Sequence, residues 1–238
     1  KSSHSFPTRR SSDLLSAPVQ LHPVDDLARL DLPQAVAAGE IFQVNGQVLQ
    51  PTRVVYTGAT MAELRDLDAQ AGTANFDFYL WFRYDGADDA TDIQFVNQAS
   101  NFMNQASNGP LLGAPLEQAT IEGLKYRLFR VRGVFKQNLD FKDYPFDRQL
   151  VSVQLRNAWL PRSKIIYVVD RRGLAAAGDE DLLDNASEFA NVDNWQVRGP
   201  VRLSQDTVSQ VSSFGDPRLF GSKVKLDFSE FHIDITLG

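Results

Sequence analysis

The chain has 238 residues, of which 43% are hydrophobic and 23% are charged. These proportions are ordinary for a globular protein and argue against a disordered chain. The formal net charge of −6 argues against a dominant nucleic-acid-binding surface. The chain has no cysteine, which excludes a disulfide framework, a thiolate metal site and a cysteine nucleophile.

The first fifty residues do not have the pattern of a folded core. Residues 1–14 are rich in Ser and Arg, lack the apolar run of a signal peptide and resemble a translated sequencing adapter, so we expect a non-native or disordered tail. Residues 15–50 contain a helix-capable stretch, Val24–Leu30, and a hairpin candidate over 41–49, where Asn45-Gly46 supplies the positive φ angles of a type I′ turn. We interpret 15–50 as a linker or the end of an upstream domain.

The clearest strand prediction covers Asn75–Tyr84, because apolar and polar side chains alternate there with a period of two. One face of this strand is predicted to lie in a core, and it consists of Phe76, Phe78, Leu80, Phe82 and Tyr84. The opposite face consists of Asp77, Tyr79, Trp81 and Arg83.

Shorter strands are predicted along the rest of the chain. Arg53–Leu67 has the pattern of a strand with a break at Thr57-Gly58, and a turn follows over 68–73. The other predicted strands are Asp92–Asn97, Gln118–Glu122, Tyr126–Phe135, Leu150–Leu155, Ile165–Val169, Trp195–Leu203 and Phe228–Leu237. Many short strands separated by turns, with little helical periodicity, predict an all-β fold of the β-sandwich type.

The segment 138–149, between two predicted strands, has an unusual sequence. Its centre is Tyr144-Pro145-Phe146-Asp147, in which the proline fixes φ and places two aromatic rings on a rigid bend. The segment resembles the signature loop of the pentameric ligand-gated ion channels, the Cys-loop receptor superfamily. The bracketing cysteines of the animal members would fall on Gln137 and Val151, so the chain is similar to the cysteine-free prokaryotic members.

The resemblance covers residues 51–238 in strand order. Similar segments are Phe76–Gly86 for the family's second strand, Arg130–Phe135 for the strand entering the signature loop, Lys164–Asp170 and Asn194–Val197 for the eighth and ninth strand regions, and Phe228–Leu237 for the final strand. The resemblance implies an immunoglobulin-like β-sandwich of about ten strands, truncated before the first membrane helix. Some prokaryotic relatives carry an additional periplasmic domain upstream, so 15–50 is interpreted either as a linker or as the end of such a domain.

The function that this resemblance implies is ligand-gated ion conduction, not catalysis. Five copies would form a homopentamer and bind a small-molecule ligand, or protons, at the subunit interfaces. The 138–149 loop would couple binding to the pore through transmembrane helices outside this sequence. We therefore expect the inner membrane, with this domain facing the periplasm or the outside, and we expect no cofactor, no metal and no nucleic-acid partner.

The resemblance also implies ligand-binding residues from several loops, since aromatic faces attract cationic ligands. The candidates are Tyr79, Trp81, Arg83, Trp159, Phe214 and Phe220. Each has a simpler interpretation. Tyr79 and Trp81 would serve equally as interface packing, Trp159 would pack under a strand end, and the two phenylalanines would anchor a hairpin. Arg83 would suit an anionic group or be a solvated arginine.

The candidate residues for coupling to the membrane domain lie in the loop and in the turn beside it. They are Asp143, Tyr144, Pro145, Phe146, Asp147, Asp68 and Gly72. The simpler alternative is a tight surface turn in which Phe146 is buried and Asp147 caps backbone amides.

Two other classes of function remain open from the residues. A free-standing β-sandwich binding module, for example carbohydrate-binding, would need solvent-facing aromatics, and Tyr79 with Trp81 is the pair that the sequence offers. A β-sandwich hydrolase would need an acid/base cluster, for which Asp147 and Glu230 would be tested. No pair of the three histidines has metal-ligand spacing, and the acidic runs lack the spacing of a calcium loop.

Overall fold

The structure is a computed structural model that describes residues 21–23, 31–37, 41–99, 112–142, 148–175, 190–192, 195–210 and 226–238. The chain divides into two compact units, Lys1–Thr52 and Arg53–Gly238. The predicted helix Val24–Leu30 lies outside the described residues.

The smaller unit contains a three-stranded antiparallel sheet. The elements of this unit are β1 (Leu21–Pro23), α1 (Leu32–Ala37), β2 (Phe42–Val44) and β3 (Gln47–Pro51). The order of the strands in the sheet is β1-β3-β2. The predicted hairpin is confirmed: Asn45 and Gly46 connect β2 to β3 with φ angles of 51° and 78°. Both angles lie in the left-handed region that a type I′ turn requires.

The described part of the larger unit consists mainly of strands. They are β4 (Arg53–Asp68), β5 (Thr73–Tyr84), β6 (Ile93–Phe95), β7 (Glu117–Ile121), β8 (Leu124–Lys136), β9 (Gln149–Asn157), β10 (Ile165–Val169), β11 (Ala190–Asn191), β12 (Arg202–Gln210) and β13 (Leu226–Leu237). A short helix, α2 (Arg171–Ala175), follows β10, and a 3₁₀ turn spans Asp88–Thr91.

The strands of the larger unit form two sheets. One has the order β10-β4-β5-β8-β7, with β11 also paired to β4, and the other has the order β12-β13-β9-β6. We call them the six-stranded and the four-stranded sheet. β10 and β11 run parallel to β4, and every other strand pair in the two sheets is antiparallel.

A single hydrophobic core joins the two sheets. The predicted inward face of β5 is at most 2% exposed at every position, and the core-facing residues of β13 are fully buried. Phe78 of the six-stranded sheet meets Phe95 of the four-stranded sheet edge-to-face, with 6.2 Å between ring centroids. This is the packing of two inner faces over one core, so the all-β sandwich prediction is confirmed.

Two strand predictions were wrong. β4 runs unbroken through Thr57 and Gly58 and is interrupted only by register shifts after Met61 and Arg65. The strand predicted over Trp195–Leu203 lies later, at Arg202–Gln210. Before it, Val197 forms a bridge with Leu237, and Gln196 and Arg198 make backbone hydrogen bonds to Gly238 and Thr236. β12 is an edge strand, and backbone hydrogen bonds to β13 hold it in the sheet. Its mostly polar sequence therefore forms a strand without alternating apolar residues.

Three segments meet at one end of this sandwich. The Gln137 amide donates to the Gly72 carbonyl at 2.7 Å, which joins the end of β8 to the β4–β5 turn. Leu237 near the end of β13 pairs with Gln149 at the start of β9. The base of the 138–148 segment therefore lies beside both the turn and the last residues of the chain. Among the described residues there is no helix that is long and apolar enough to cross a membrane.

Candidate functional site

A buried carboxylate organises the outward face of β5. Asp170, at the end of β10, is fully buried and accepts hydrogen bonds from Arg83 Nε at 2.8 Å and Trp81 Nε1 at 3.0 Å. Arg83 Nη2 donates to the other carboxylate oxygen, which makes the ion pair bidentate. The amide of Gly173 in α2 donates to that same oxygen at 3.0 Å. Asp170 thus joins β5, β10 and α2 at one point.

The hydrogen bonds around Asp170 keep its carboxylate ionised. Burial raises the pKa of Asp170, but the hydrogen bonds from Arg83, the Gly173 amide and the Trp81 indole outweigh it, so the pKa lies below its usual value. The Asp170 carboxylate in turn raises the pKa of Arg83. A buried charge with this many donors is fully compensated, and the pair forms a neutral unit.

The ring of Trp81 lies flat against the sheet. A Cβ placed on Gly58 of the neighbouring strand would overlap the indole ring, so glycine is the residue that leaves space for it. On the same face, the Arg83 guanidinium lies over the Tyr56 ring at 5.3 Å from its centroid. Trp81 and Arg83 are both half-buried as a result.

Tyr79 belongs to a second charged cluster on the same face. Arg130 of β8 lies over its ring at 5.4 Å from the centroid and also donates two hydrogen bonds of 2.9 Å to Asp77. Arg132 donates to Asp77 at 2.8 Å. The hydrogen bond from Arg130, outweighing burial, holds the pKa of Asp77 below its usual value. The cluster therefore carries an excess of one positive charge.

Two open clefts border this second cluster. One, of about 410 Å³, is lined by Arg130 and Arg132 together with Phe95, Gln98 and Leu112. The other, of about 240 Å³, contains Asp77 and Arg132. Ion-paired arginines at the rim of a cleft with both polar and apolar lining offer aliphatic surface and hydrogen-bond donors.

The structure corrects the sequence interpretation of Arg83. Arg83 is neither a solvated arginine nor free to bind an anionic ligand, because its guanidinium is already hydrogen-bonded to the Asp170 carboxylate. Sequence reasoning missed Asp170, which lies 87 residues away in the chain. Its only sequence signal is a charged residue directly after the apolar run Ile165–Val169.

Trp159 lies in the connection between β9 and β10, and its side chain points into solvent. Its side chain is 80% exposed, so the interpretation that it packs under a strand end was wrong. Its backbone is nevertheless fixed, because the amides of Trp159 and Leu160 donate to Asn157 Oδ1 at 3.0 and 2.8 Å. The buried Asn157 side chain is itself held by the Asp89 carbonyl and the Tyr167 hydroxyl. An exposed indole on a rigid turn is available for contact.

The predicted turn beside the loop is present. Asp68 Oδ1 accepts hydrogen bonds from the amides of Gln70 and Ala71, and Gly72 has a φ of 60°. In the loop itself, Phe141 contacts the Trp195 ring at 6.4 Å between centroids. Phe214, Phe220, Asp143, Tyr144, Pro145, Phe146 and Asp147 lie outside the described residues.

Comparison with known proteins adds no family assignment. No protein-family model matches the chain, and no curated protein matches its sequence significantly. Within the described residues, no group of three or more His, Cys, Asp or Glu side chains is arranged to hold a metal ion.

Proposed function

We propose that this chain carries the extracellular ligand-binding domain of a prokaryotic pentameric ligand-gated ion channel. One observation supports this most strongly: the base of the 138–148 segment, the turn at Gly72 and the end of β13 meet at one end of the sandwich. In the channels that the sequence resembles, the final strand continues into the first membrane helix. A loop and a turn beside the end of that strand are therefore positioned to press on the membrane domain.

The connection between β8 and β9 passes from one sheet to the other, and this supports the same function. β8 belongs to the six-stranded sheet and β9 to the four-stranded sheet, so residues 137–148 connect the two layers. A relative movement of the layers changes the position of the segment that connects them. Such a segment can transmit a rearrangement from the sandwich to a neighbouring domain, which is the role of the signature loop in the family.

The ligand would bind between neighbouring subunits. Trp159 presents an exposed indole on the four-stranded sheet's side, and Tyr79 and Trp81 lie on the outward face of the six-stranded sheet. A ring of five copies brings unlike surfaces of neighbours together, so residues that are separate in one chain can form one interface site. Since Asp170 neutralises Arg83, the charge of Arg83 does not select an anionic ligand. A cation–π contact to the exposed Trp159 indole would contribute about 0.5–2 kcal/mol.

Gating would follow from differential binding. A ligand that binds the interface better in one quaternary state shifts the population toward that state. A change from 1:99 to 99:1 requires about 5.5 kcal/mol of differential binding, which five sites share at about 1 kcal/mol each. The 138–149 loop, with the turn from Asp68 to Thr73, would transmit the shift to a pore in the inner membrane.

The direct test is to read the coding DNA beyond the codon for Gly238. The proposal expects four hydrophobic segments of about 20 residues, the first beginning within a few codons. The complete protein, reconstituted in planar bilayers, should then carry ligand- or proton-dependent currents. A stop codon or a soluble domain in frame would contradict the channel proposal.

The second candidate is a free-standing binding module. The exposed Trp159 favours it, because a solvent-facing indole stacks on sugar rings. Tyr79 and Trp81 favour it less, because one lies under Arg130 and the other lies flat on Gly58. Affinity electrophoresis against a panel of polysaccharides, with Trp159→Ala as the control, tests this candidate: retardation lost in the variant would support it.

A further inference from the structure

Two glutamine side chains close the base of the 138–148 segment. Gln137 Oε1 accepts from the Ser152 amide at 2.7 Å, and Gln137 Nε2 donates to the Ser152 carbonyl at 3.1 Å. Further into the segment, Gln149 Oε1 accepts from the Asp140 amide at 2.9 Å while Gln149 Nε2 donates to the Asp140 carbonyl. Each glutamine thus makes a two-point pair with the backbone of the opposite side, and one pair is nested inside the other.

These pairs occur where the backbone has no strand partner to use. β6 pairs with β9 from Asn157 to Leu155, and the Val96 amide donates to the Gln154 carbonyl at 2.8 Å. Beyond that point the Gln154 amide donates to Asn97 Oδ1 at 3.0 Å, and the Ser152 carbonyl accepts from Asn97 Nδ2 at 2.7 Å. The side-chain amides of Asn97 and Gln137 therefore continue the hydrogen bonding along this edge of β9, which satisfies backbone groups that would otherwise lose their partners.

The chemistry of these pairs requires an amide. A backbone unit offers one donor and one acceptor, and among side chains that are neutral at pH 7 only Asn and Gln present both in the same geometry. Gln149 is 2% exposed, so an ionised carboxylate there would lose the donor and face the Asp140 carbonyl in a buried position. Reversible hydrogen bonds also differ from a disulfide in that they open without a redox reaction.

We propose that Gln137 and Gln149 are the positioning residues of the 138–148 segment, and that their nested amide–backbone pairs form a non-covalent brace at its base. Gln137 bonds to Ser152, the residue after Val151, so the outer pair joins nearly the same two points that bracketing cysteines would join. The consequence for gating rests on the proposed function: the brace sets where the loop stands relative to the membrane domain. The brace itself does not depend on that function.

Residue-resolved hydrogen exchange of this chain tests the brace. Gln137→Ala should accelerate exchange of the Ser152 amide, and Gln149→Ala that of the Asp140 amide, each by about tenfold, because each amide loses its acceptor. Gln118→Ala, at an exposed position on β7, is the matched control and should change neither. The amide of Phe78 in the core reports global unfolding, so the local effect is the acceleration of the Ser152 and Asp140 amides beyond any change at Phe78.

Glutamate variants separate positioning from packing, because glutamate has nearly the shape of glutamine. A protonated carboxyl keeps one donor and one acceptor, whereas the ionised form keeps only acceptors. The ionised carboxylate can still accept from the amide, but it places an oxygen without a proton against the backbone carbonyl to which the glutamine Nε2 donated. In Q137E and Q149E the protection relative to wild type should therefore be close to normal at about pH 3.5 and reduced at about pH 7, on either side of the ordinary glutamate pKa of about 4.3. These variants also serve if an alanine variant fails to fold.

Two results would overturn the proposal. One is exchange of the Ser152 and Asp140 amides at the control rate in the alanine variants. The other is protection in Q137E and Q149E that does not change with pH relative to wild type. Neither measurement involves a pore, so a failed brace and a failed channel proposal are distinguishable.

Discussion

The indole ring of Trp81 lies directly over Gly58 of the adjacent strand, in space that any side chain at position 58 would occupy. The same indole donates to the buried Asp170 carboxylate at 3.0 Å. The position of the Trp81 ring is therefore fixed on one side by a missing side chain and on the other by a hydrogen bond. This arrangement determines how the outward face of β5 is presented to solvent or to a partner.

Gly58→Ala is expected to destabilise the larger unit by about 1–3 kcal/mol, because the new methyl group overlaps the Trp81 ring. Urea unfolding measures the change. Gly133→Ala is the matched control on β8, since a Cβ there would lie 3.2 Å from the Phe135 ring and needs only a small adjustment. If the overlap is the cause, adding Trp81→Ala to Gly58→Ala should cost less than the sum of the two single changes.

Asp170→Asn is expected to be strongly destabilising, because it leaves the Arg83 guanidinium without its counter-charge. Breaking a buried ion pair costs about 3–5 kcal/mol, and the partial exposure of Arg83 places this case at the lower end. The control is Glu122→Gln, which breaks the exposed pair with Arg172 and should cost less than about 1 kcal/mol. Equal effects in denaturant unfolding would show that the Asp170 pair contributes no more than a surface pair.

Because of the Asp170 carboxylate, we expect the free energy of unfolding to depend on pH in the acidic range. The pKa of Asp170 is lower in the folded chain than its ordinary value of about 3.9. Its contribution is therefore fully present above about pH 4 and is lost as the pH falls through the folded pKa. The stability difference between wild type and Asp170→Asn should shrink as the pH is lowered from about 5 to about 2, and a difference that stays constant would exclude this linkage.

His232 should give a pH dependence of stability with the opposite sign to that of Asp170. Its hydrogen bond with Glu230, at 3.3 Å, raises the pKa of His232 despite burial, and neighbouring acidic groups add to this. The other charged groups on this face of the four-stranded sheet are Asp234 on β13, Asp206 and Arg202 on β12, and Arg156 on β9.

The contribution of the His232 charge is therefore fully present below the unfolded pKa of about 6.5 and disappears as the pH rises through the folded pKa. His232→Gln should reduce the free energy of unfolding at about pH 5.5 and change it little at about pH 9. NMR titration of the imidazole gives the folded pKa directly, and a value at or below that of the unfolded chain would contradict the prediction.

Trp159→Ala is expected to change stability by less than about 0.5 kcal/mol, because the side chain it removes is 80% exposed. The variant should nevertheless lose most of the tryptophan fluorescence that acrylamide quenches, since Trp81 and Trp195 are shielded from solvent over part of their surface. A ligand or a neighbouring subunit that covers Trp159 should reduce this quenching in the wild type. Equal acrylamide quenching in wild type and Trp159→Ala would show that the Trp159 indole is not the solvent-accessible tryptophan.

Local sequence patterns predicted the parts of the fold that depend on local geometry. The alternation in Asn75–Tyr84 identified the buried face of β5 because successive side chains of a strand point to opposite faces. Asn45-Gly46 identified its hairpin because few residues adopt positive φ. Gly58 carried a signal that was misinterpreted: a glycine within a strand marks a close approach as well as a break.

The candidate site could be predicted only in part. Trp81 and Arg83 were identified on the outward face of β5, but their partner Asp170 comes from a strand that follows much later in the chain. The exposure of Trp159 depends on Asn157, which fixes the turn through contacts with Asp89 and Tyr167. Sequence spacing gives no information about such contacts, because they form only when distant strands are brought into one sheet.

The amino-acid sequence by itself determined most of the strands, the faces of β5 and β13 that are buried, and the hairpin turn, since these follow from side-chain alternation and backbone preference over a few residues. The tertiary structure decided which charges neutralise one another and which aromatic ring stays exposed. It also decided that Gln137 and Gln149 bond to the backbone across the base of the 138–148 segment. The physical reason is that ion pairs, burial and side-chain hydrogen bonds depend on distances in space, and the pairing of the strands sets those distances.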